Sequence, residues 1–357
     1  MTEAVATDRI EFGLDTFGDV TQAPDGSAVS QAQTIRNVVE EGVLADQVGL
    51  SFFGVGEHHR EDYAVSAPDV VLAAIASRTQ NIHLGSAVTV LSSDDPVRVF
   101  QRFSTLDAVS DGRAEVILGR GSFTESFPLF GYDLGDYEKL FEEKLELFTH
   151  LLAEKPVTWS GTTRAPLTDQ RVFPVTESGS LRTWIGVGGS PESVVRTARY
   201  GLPMMLAIIG GSSARFAPYV DLYKRALAQM ELPMQAIGVH SPGYVAETDE
   251  QAREEFFPHY QLMHARIGAS RGWPPLTRMQ FEGEATPNGA IYVGSPETVA
   301  RKIATTLEVL GANRFDLKYS AGTLPHENMM KNIELYGTQV VPRVHELLSE
   351  SKAPVAL

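Results

Sequence analysis

The chain contains no cysteine, which excludes disulfides, thiolate metal sites and a cysteine nucleophile together. Positive charge is scarce: 30 Lys and Arg against 45 Asp and Glu leave a formal net charge of −15. Such a surface repels phosphate backbones and anionic lipid, so neither nucleic acid nor a membrane is expected as a partner. Long apolar runs are missing as well, and the longest, Leu202–Ile209, is far too short to span a bilayer. Met1 to Arg9, with Glu3 and Asp8, lacks the basic-then-apolar pattern of a signal peptide, which makes cytoplasmic residence the expectation. No Gly-x-Gly-x-x-Gly follows the first strand and no phosphate-loop Gly-Lys-Ser/Thr occurs, so nothing resembles a dedicated nicotinamide domain. A small-molecule partner is what these absences leave.

What is present is an alternation. Short runs of β-branched and aliphatic residues recur at Ile10–Thr16, Ser51–Gly56, Ile82–Val90, Ala114–Gly119, Thr183–Gly188, Met204–Ile209, Ala236–Val245 and Arg314–Tyr319. Between them Gln31–Val48, Asp69–Thr79, Pro96–Val109, Tyr137–Leu152, Pro191–Tyr200, Ala217–Gln229 and Pro296–Leu310 carry a helical period. Eight such units predict an α/β fold, a (β/α)8 TIM barrel formed by residues 1–357 as one domain, with an open doubly wound sheet as the alternative.

Two stretches break the rhythm, 122–182 after strand four and 247–289 after strand seven, and both read as insertions. Barrel active sites lie at the C-terminal ends of the strands, so an insertion there sits beside the chemistry. The first begins with an aromatic segment whose Phe123, Phe127 and Phe130 either wall a pocket for a flat apolar ligand or pack their own loop.

A related phrase occurs twice. Gly189 to Arg196 reads Gly-Ser-Pro-Glu-Ser-Val-Val-Arg, and Gly294 to Arg301 reads Gly-Ser-Pro-Glu-Thr-Val-Ala-Arg. Each is a helix start, with Ser at the N-cap, Pro in the first turn and Glu near the positive end of the dipole. The first copy also follows a strand ending in Gly188 and Gly189, where a ligand can approach the backbone and free N–H groups form an anion site; the second is read as a cap alone. Arg120, between two glycines at the end of strand four, suits either a phosphate or a salt bridge. Glu57-His58-His59 ends strand two, and period-two geometry sends only one of the histidines to the cavity. Adjacent histidines make a poor metal pair, and strands five and six offer no His, Asp or Glu, so a metal-dependent hydrolase is disfavoured.

Read together, Gly56-Glu-His-His59, Leu84-Gly-Ser-Ala-Val-Thr-Val-Leu91, Asp95-Pro-Val-Arg98, Leu106-Asp-Ala-Val-Ser-Asp-Gly-Arg113 and Leu118-Gly-Arg-Gly121 resemble the bacterial luciferase-like flavin monooxygenases in order and spacing. The likeness runs from about residue 10 to 131 and resumes around Trp184–Ala198. It implies a barrel mouth that holds reduced FMN or, in sister families, a deazaflavin coenzyme. It matches Arg120, Ser190, Ser193, Gly188 and Gly189 to the family's phosphate-binding positions, Ala87–Val88 to its non-proline cis peptide against the flavin ring, and His58 to its catalytic histidine. Two positions depart from the pattern. Gly119 stands where luciferase has a reactive cysteine, and Asp95 where it has a histidine before Pro-Val-Arg, which puts light emission and long-chain aldehyde specificity in doubt.

The mechanism expected is oxygen transfer from molecular oxygen to an organic substrate, with the reduced flavin delivered by a separate reductase, since the chain shows no nicotinamide fingerprint, and with a water-excluding pocket closed by Phe123, Phe127 and Phe130. Deazaflavin-dependent hydride transfer and flavin binding without turnover are the alternatives. Val97, Val99, Phe100, Phe103, Leu106 and Val109 cover more than one face of helix Pro96–Val109, and this surplus, with the family likeness, predicts a homodimer.

Overall fold

A computed structural model describes residues 10–352 apart from Pro24 and Ser122; Met1–Arg9 and Ser122, which opens the first predicted insertion, lie outside the described residues. Eight strands, β1 Glu11–Thr16, β2 Phe52–Val55, β3 His83–Val90, β4 Ala114–Gly119, β5 Arg182–Val187, β6 Met204–Ala207, β7 Ile237–Val245 and β8 Arg314–Lys318, each pair in parallel with the next. β8 also pairs with β1, in register Asp15 to Lys318, so the sheet closes. The result is a (β/α)8 barrel, and closure disposes of the doubly wound alternative.

Strands covered on both faces read as near-continuous apolar runs, and β2 and β4 are buried at every position. Inside the barrel Phe52, Ala87, Ile117, Trp184, Met205 and Ala236 pack as one cluster. Below it, at the N-terminal strand ends, lies an ion cluster. Fully buried Arg314 lies over the Phe52 ring at 3.7 Å and donates to Glu115 at 2.7 Å and to Asp316 at 2.9 Å. Arg182 donates to the same Glu115 at 2.8 Å and to Glu11 at 2.7 Å. Charges this deep persist only when paired. Burial opposes ionisation of Glu115, but Arg182 and Arg314 outweigh it and hold the carboxyl well below its ordinary value. With this floor sealed, the opposite end of the barrel is left for function.

The helices are α1 Gln31–Gln47, α2 Pro68–Ala76, α3 Pro96–Val109, α4 Ser126–Phe130, α5 Tyr137–Leu151, α6 Pro191–Arg199, α7 Ala217–Gln229, α8 Asp249–Arg271, α9 Arg278–Ala285, α10 Pro296–Leu310, α11 His326–Leu335 and α12 Val341–Lys352. The insertion after β4 carries α4, α5 and an antiparallel pair, Val157–Trp159 with Leu167–Gln170. The insertion after β7 folds as α8 and α9 and leads to a three-residue strand, Tyr292–Gly294, laid parallel on β7. One expectation needs correction. The apolar residues of α3 are not surplus: Val99, Phe100, Phe103 and Leu106 are buried within the protomer, Val97 packs against the same core, and only Val109 is exposed. Among the described residues no helix is long and apolar enough to cross a membrane.

Candidate active site

β2 ends at Val55, and the chain beyond it places His58 and His59 on opposite sides. His58 faces the barrel mouth. Tyr63 stacks on its ring at 4.5 Å, while Phe17 and Phe123 meet it edge-on at 4.8 and 4.6 Å. Its Nδ1 lies 3.2 Å from Oε1 of Glu125. Burial opposes charge on Glu125, but the His58 hydrogen bond helps hold its carboxyl below the ordinary value. An ionised carboxylate only accepts, so Nδ1 carries a proton, and Nε2 has no hydrogen-bond partner among the described residues. His59 turns away: its Nε2 meets Glu57 at 2.9 Å, its ring packs edge-on to Phe130, and it lines a separate cavity of about 380 Å³ with Phe130, Tyr132 and Arg102.

The Ala87–Val88 peptide is cis and lies at the register shift between β3 and β4. Val88 occupies the room a side chain at 119 would need, because a Cβ added to Gly119 would lie 2.5 Å from Val88 Cγ2. Glycine at the luciferase cysteine position is therefore coupled to the bulk of Val88.

The two Ser-Pro-Glu helices differ in what stands at their starts. At α10 the Ser295 amide donates to Asp249 at 2.7 Å and the Thr298 hydroxyl donates to the same carboxylate at 3.0 Å. At α6 the Ser190 hydroxyl accepts from the Ser193 amide at 3.3 Å and donates to the Ser193 hydroxyl at 2.9 Å. Among the described residues no carboxylate accepts a hydrogen bond from the first turn of α6. Gly189 has φ +97°, a backbone that side chains avoid, and a Cβ at Gly188 would meet none of the described atoms within 4 Å.

Arg120 pairs with Glu138, which also accepts from Arg196 at 3.1 Å, and its guanidinium lies 5.5 Å from the Tyr137 ring centroid. The salt-bridge reading of Arg120 is thus the arrangement present. The three phenylalanines are not brought together. Phe123 faces His58, Phe127 is fully buried and stacks on Tyr137, and Phe130 is half exposed against His59.

Sequence reasoning missed four residues at the mouth: Glu125, Tyr63, Asp15 and His240. Glu125 stands within the aromatic segment that was noticed, but nothing local tells that it reaches residue 58. The second insertion also comes over the site, where the Arg271 guanidinium lies 4.9 Å from the Phe123 ring centroid.

A parallel barrel with polar side chains gathered at the C-terminal strand ends has the architecture of a barrel enzyme. The family model described as luciferase-like monooxygenase matches residues 11–314, and this chain, an oxidoreductase, belongs to that family. It is 26% identical to 4-hydroxyprotoasukamycin monooxygenase of Streptomyces nodosus subsp. asukaensis, covering 84% of each chain. Its fold matches the oxygenating constituent of 3,6-diketocamphane monooxygenase from a Pseudomonas putida plasmid, in complex with FMN, with TM-score 0.73, 17% identity and coverage of 94% of this chain and 99% of that one. It also matches coenzyme F420 dependent tetrahydromethanopterin reductase from Methanopyrus kandleri, with TM-score 0.69, 16% identity and the same coverage.

Proposed function

We propose that this protein is a monooxygenase that uses reduced FMN and molecular oxygen on a small organic substrate in the C-terminal mouth of the barrel. The observation that carries the reading is the contrast between the two Ser-Pro-Glu helices. Asp249 accepts from the start of α10, whereas α6, beside Gly188 and Gly189, has no such carboxylate among the described residues and carries at its start the Ser190 and Ser193 hydroxyls, which can turn from each other toward an outside anion. These residues fit a flavin phosphate. Arg120 joins them if it exchanges Glu138 for the phosphate, a trade that Arg196 eases by remaining paired with the same carboxylate.

When bound, reduced FMN supplies the electrons that activate molecular oxygen. The protein's part is acid–base control and exclusion of water. His58, its Nδ1–H directed at Glu125, presents Nε2 to the mouth as a proton acceptor. Phe17, Tyr63 and Phe123 crowd that imidazole and keep the space around it dry. With no nicotinamide fingerprint in the chain, a separate reductase supplies the reduced flavin. The monooxygenase relative and the FMN-bound structural neighbour support this reading; the F420-dependent neighbour favours a second one, hydride transfer with a deazaflavin. Fluorescence titration of the purified protein with FMN and with the deazaflavin decides between them. Preference for FMN, with oxygen consumption once a reductase is added, is the expected result, and preference for the deazaflavin overturns it.

A second copy of the chain is the proposed partner. Val70, Val109 and Phe173 are exposed around a groove of about 500 Å³ between α2 and α3, and this apolar surface supports the pairing.

A further inference from the structure

A second imidazole–carboxylate pair stands in the barrel mouth. His240 on β7 places Nδ1 2.6 Å from Oδ2 of Asp15 on β1. Asp15 is 1% exposed, and its Oδ1 has no partner among the described residues. Because an ionised carboxylate only accepts, Nδ1 is protonated and the remaining nitrogen, Nε2, has no hydrogen-bond partner among the described residues. The His240 side chain remains 16% exposed. Phe17 stands between the two pairs, parallel to the His240 ring at 6.4 Å and edge-on to His58 at 4.8 Å.

Position in the barrel gives this pair its direction. β4, β5 and β6 separate β3 from β7 on one side, and β8, β1 and β2 do so on the other. His240 therefore faces the Ala87–Val88 bond across the barrel. Gly54 on β2 leaves no room for a side chain between the two strands, since a Cβ there would lie 3.1 Å from Asp15 Cβ and 2.8 Å from Ala87 Cβ. A ligand lying against residues 87 and 88 turns its far side toward His240.

The ionisable groups around His240 are Asp15 on β1 and Asp316 and Lys318 on β8; its neighbour on β6 is Ala207. Lys318 is already committed to Asp19 at 2.8 Å. Burial works against charge on the imidazole, but Asp15 and Asp316 outweigh it and hold the pKa above the ordinary value.

We propose that His240, oriented by Asp15, donates an Nε2–H hydrogen bond to an ionisable oxygen of the substrate, and that the substrate is a flat phenol or enol lying beside His240 in the barrel mouth. The inference rests on the barrel mouth being the reaction site. A cationic donor favours an anionic oxygen, and the Phe17 ring, parallel to His240, gives the approach an aromatic border that suits a conjugated ring. The ionised phenol or enol is also the electron-rich form. No covalent bond changes in this role: the oxygen is held, and held as its anion.

4-Nitrophenol and its methyl ether, 4-nitroanisole, test the assignment on the full chain, with binding followed by absorbance and equilibrium dialysis and FMN affinity measured alongside. The wild-type protein should prefer nitrophenol and take it up as the phenolate, with the bound probe ionising at lower pH than the free one. His240→Gln should weaken nitrophenol about tenfold or more while leaving nitroanisole and FMN unchanged. Asp15→Asn should reduce the same preference, and retained nitroanisole binding shows in each variant that the mouth is folded. A wild-type protein without preference for nitrophenol, or His240→Gln and Asp15→Asn variants that keep it, overturns the proposal. Loss of the preference in a protein that takes up no flavin supports the His240 assignment and refutes the cofactor reading instead.

Discussion

Asp249 sits at the start of α10 and accepts the Ser295 amide hydrogen bond at 2.7 Å, so one of the two Ser-Pro-Glu helices carries its own anion. Ser190, at the start of α6, has no such companion among the described residues. If α6 is the phosphate site, Ser190→Ala should weaken FMN about tenfold or more, since a hydrogen bond to a charged group is worth about 1.5–3 kcal/mol. Ser295→Ala should leave FMN alone. Fluorescence titration of both variants checks this, and the opposite pattern would place the phosphate at α10.

Arg120 has two candidate anions, Glu138 and a phosphate. Arg120→Lys keeps the charge and loses the planar fork, so FMN affinity should fall more than that for riboflavin, which lacks the phosphate. Glu138→Gln, by removing the competing carboxylate, should tighten FMN and leave riboflavin unchanged. Equal changes for the two ligands would return Arg120 to a structural ion pair.

His58 and His59 are neighbours in the chain with different surroundings. His58→Ala should lower turnover at least tenfold, at the cautious end of what a positioned acid or base contributes, with FMN affinity little changed. Glu125→Gln should produce part of that loss. His59, paired with Glu57 beside the outer cavity, should when changed to Ala affect the unfolding temperature more than turnover. Steady-state rates beside thermal melts separate the two roles.

Glu115 makes the barrel floor sensitive to acid. Its folded pKa lies below the ordinary 4.5, so its contribution to stability is fully present above about pH 4.5 and is lost as pH falls toward the lower folded value. Urea unfolding should therefore show stability dropping below about pH 4.5, more steeply in the wild-type protein than in Glu115→Gln. At neutral pH that variant leaves Arg314 and Arg182 undercompensated and should cost about 3–5 kcal/mol, as breaking a buried ion pair does.

The α2–α3 groove is the proposed contact between two copies. Val109→Asp and Val70→Asp should each shift the light-scattering mass from dimer toward monomer at micromolar concentration. A wild-type monomer under those conditions would reject the dimer.

How far the sequence could be read depended on how local each signal was. The eight barrel strands appear in the structure within two residues of the predicted ends, because apolar period and turn residues act over a few positions. Helix α8 was hidden by Pro258 in its middle, which locally reads as a breaker, and the strand Tyr292–Gly294 was too short to stand out from the helix start after it. The three phenylalanines of the first insertion looked like one wall because they are close in sequence. α4 separates them, sending Phe127 inward and Phe130 outward.

By itself, the sequence determined the barrel's strand and helix alternation, the capped starts of α6 and α10, and the divergence of His58 from His59, all consequences of backbone periodicity and side-chain chemistry within a few residues. Tertiary structure decided the pairings. Closure of β8 on β1, and of β7 against β6 and β8, brings His240 to Asp15 across 225 positions and Arg314 to Glu115 across 199, and the β2–β3–β4 pairing brings Glu125 to His58 across 67. Contacts at such separations depend on strand order and register around the barrel, which a reading along the chain does not contain. The insertion after β7 separates the two Ser-Pro-Glu phrases, nearly alike in sequence: it sets Asp249 at the start of α10, while among the described residues no carboxylate accepts a hydrogen bond from the start of α6.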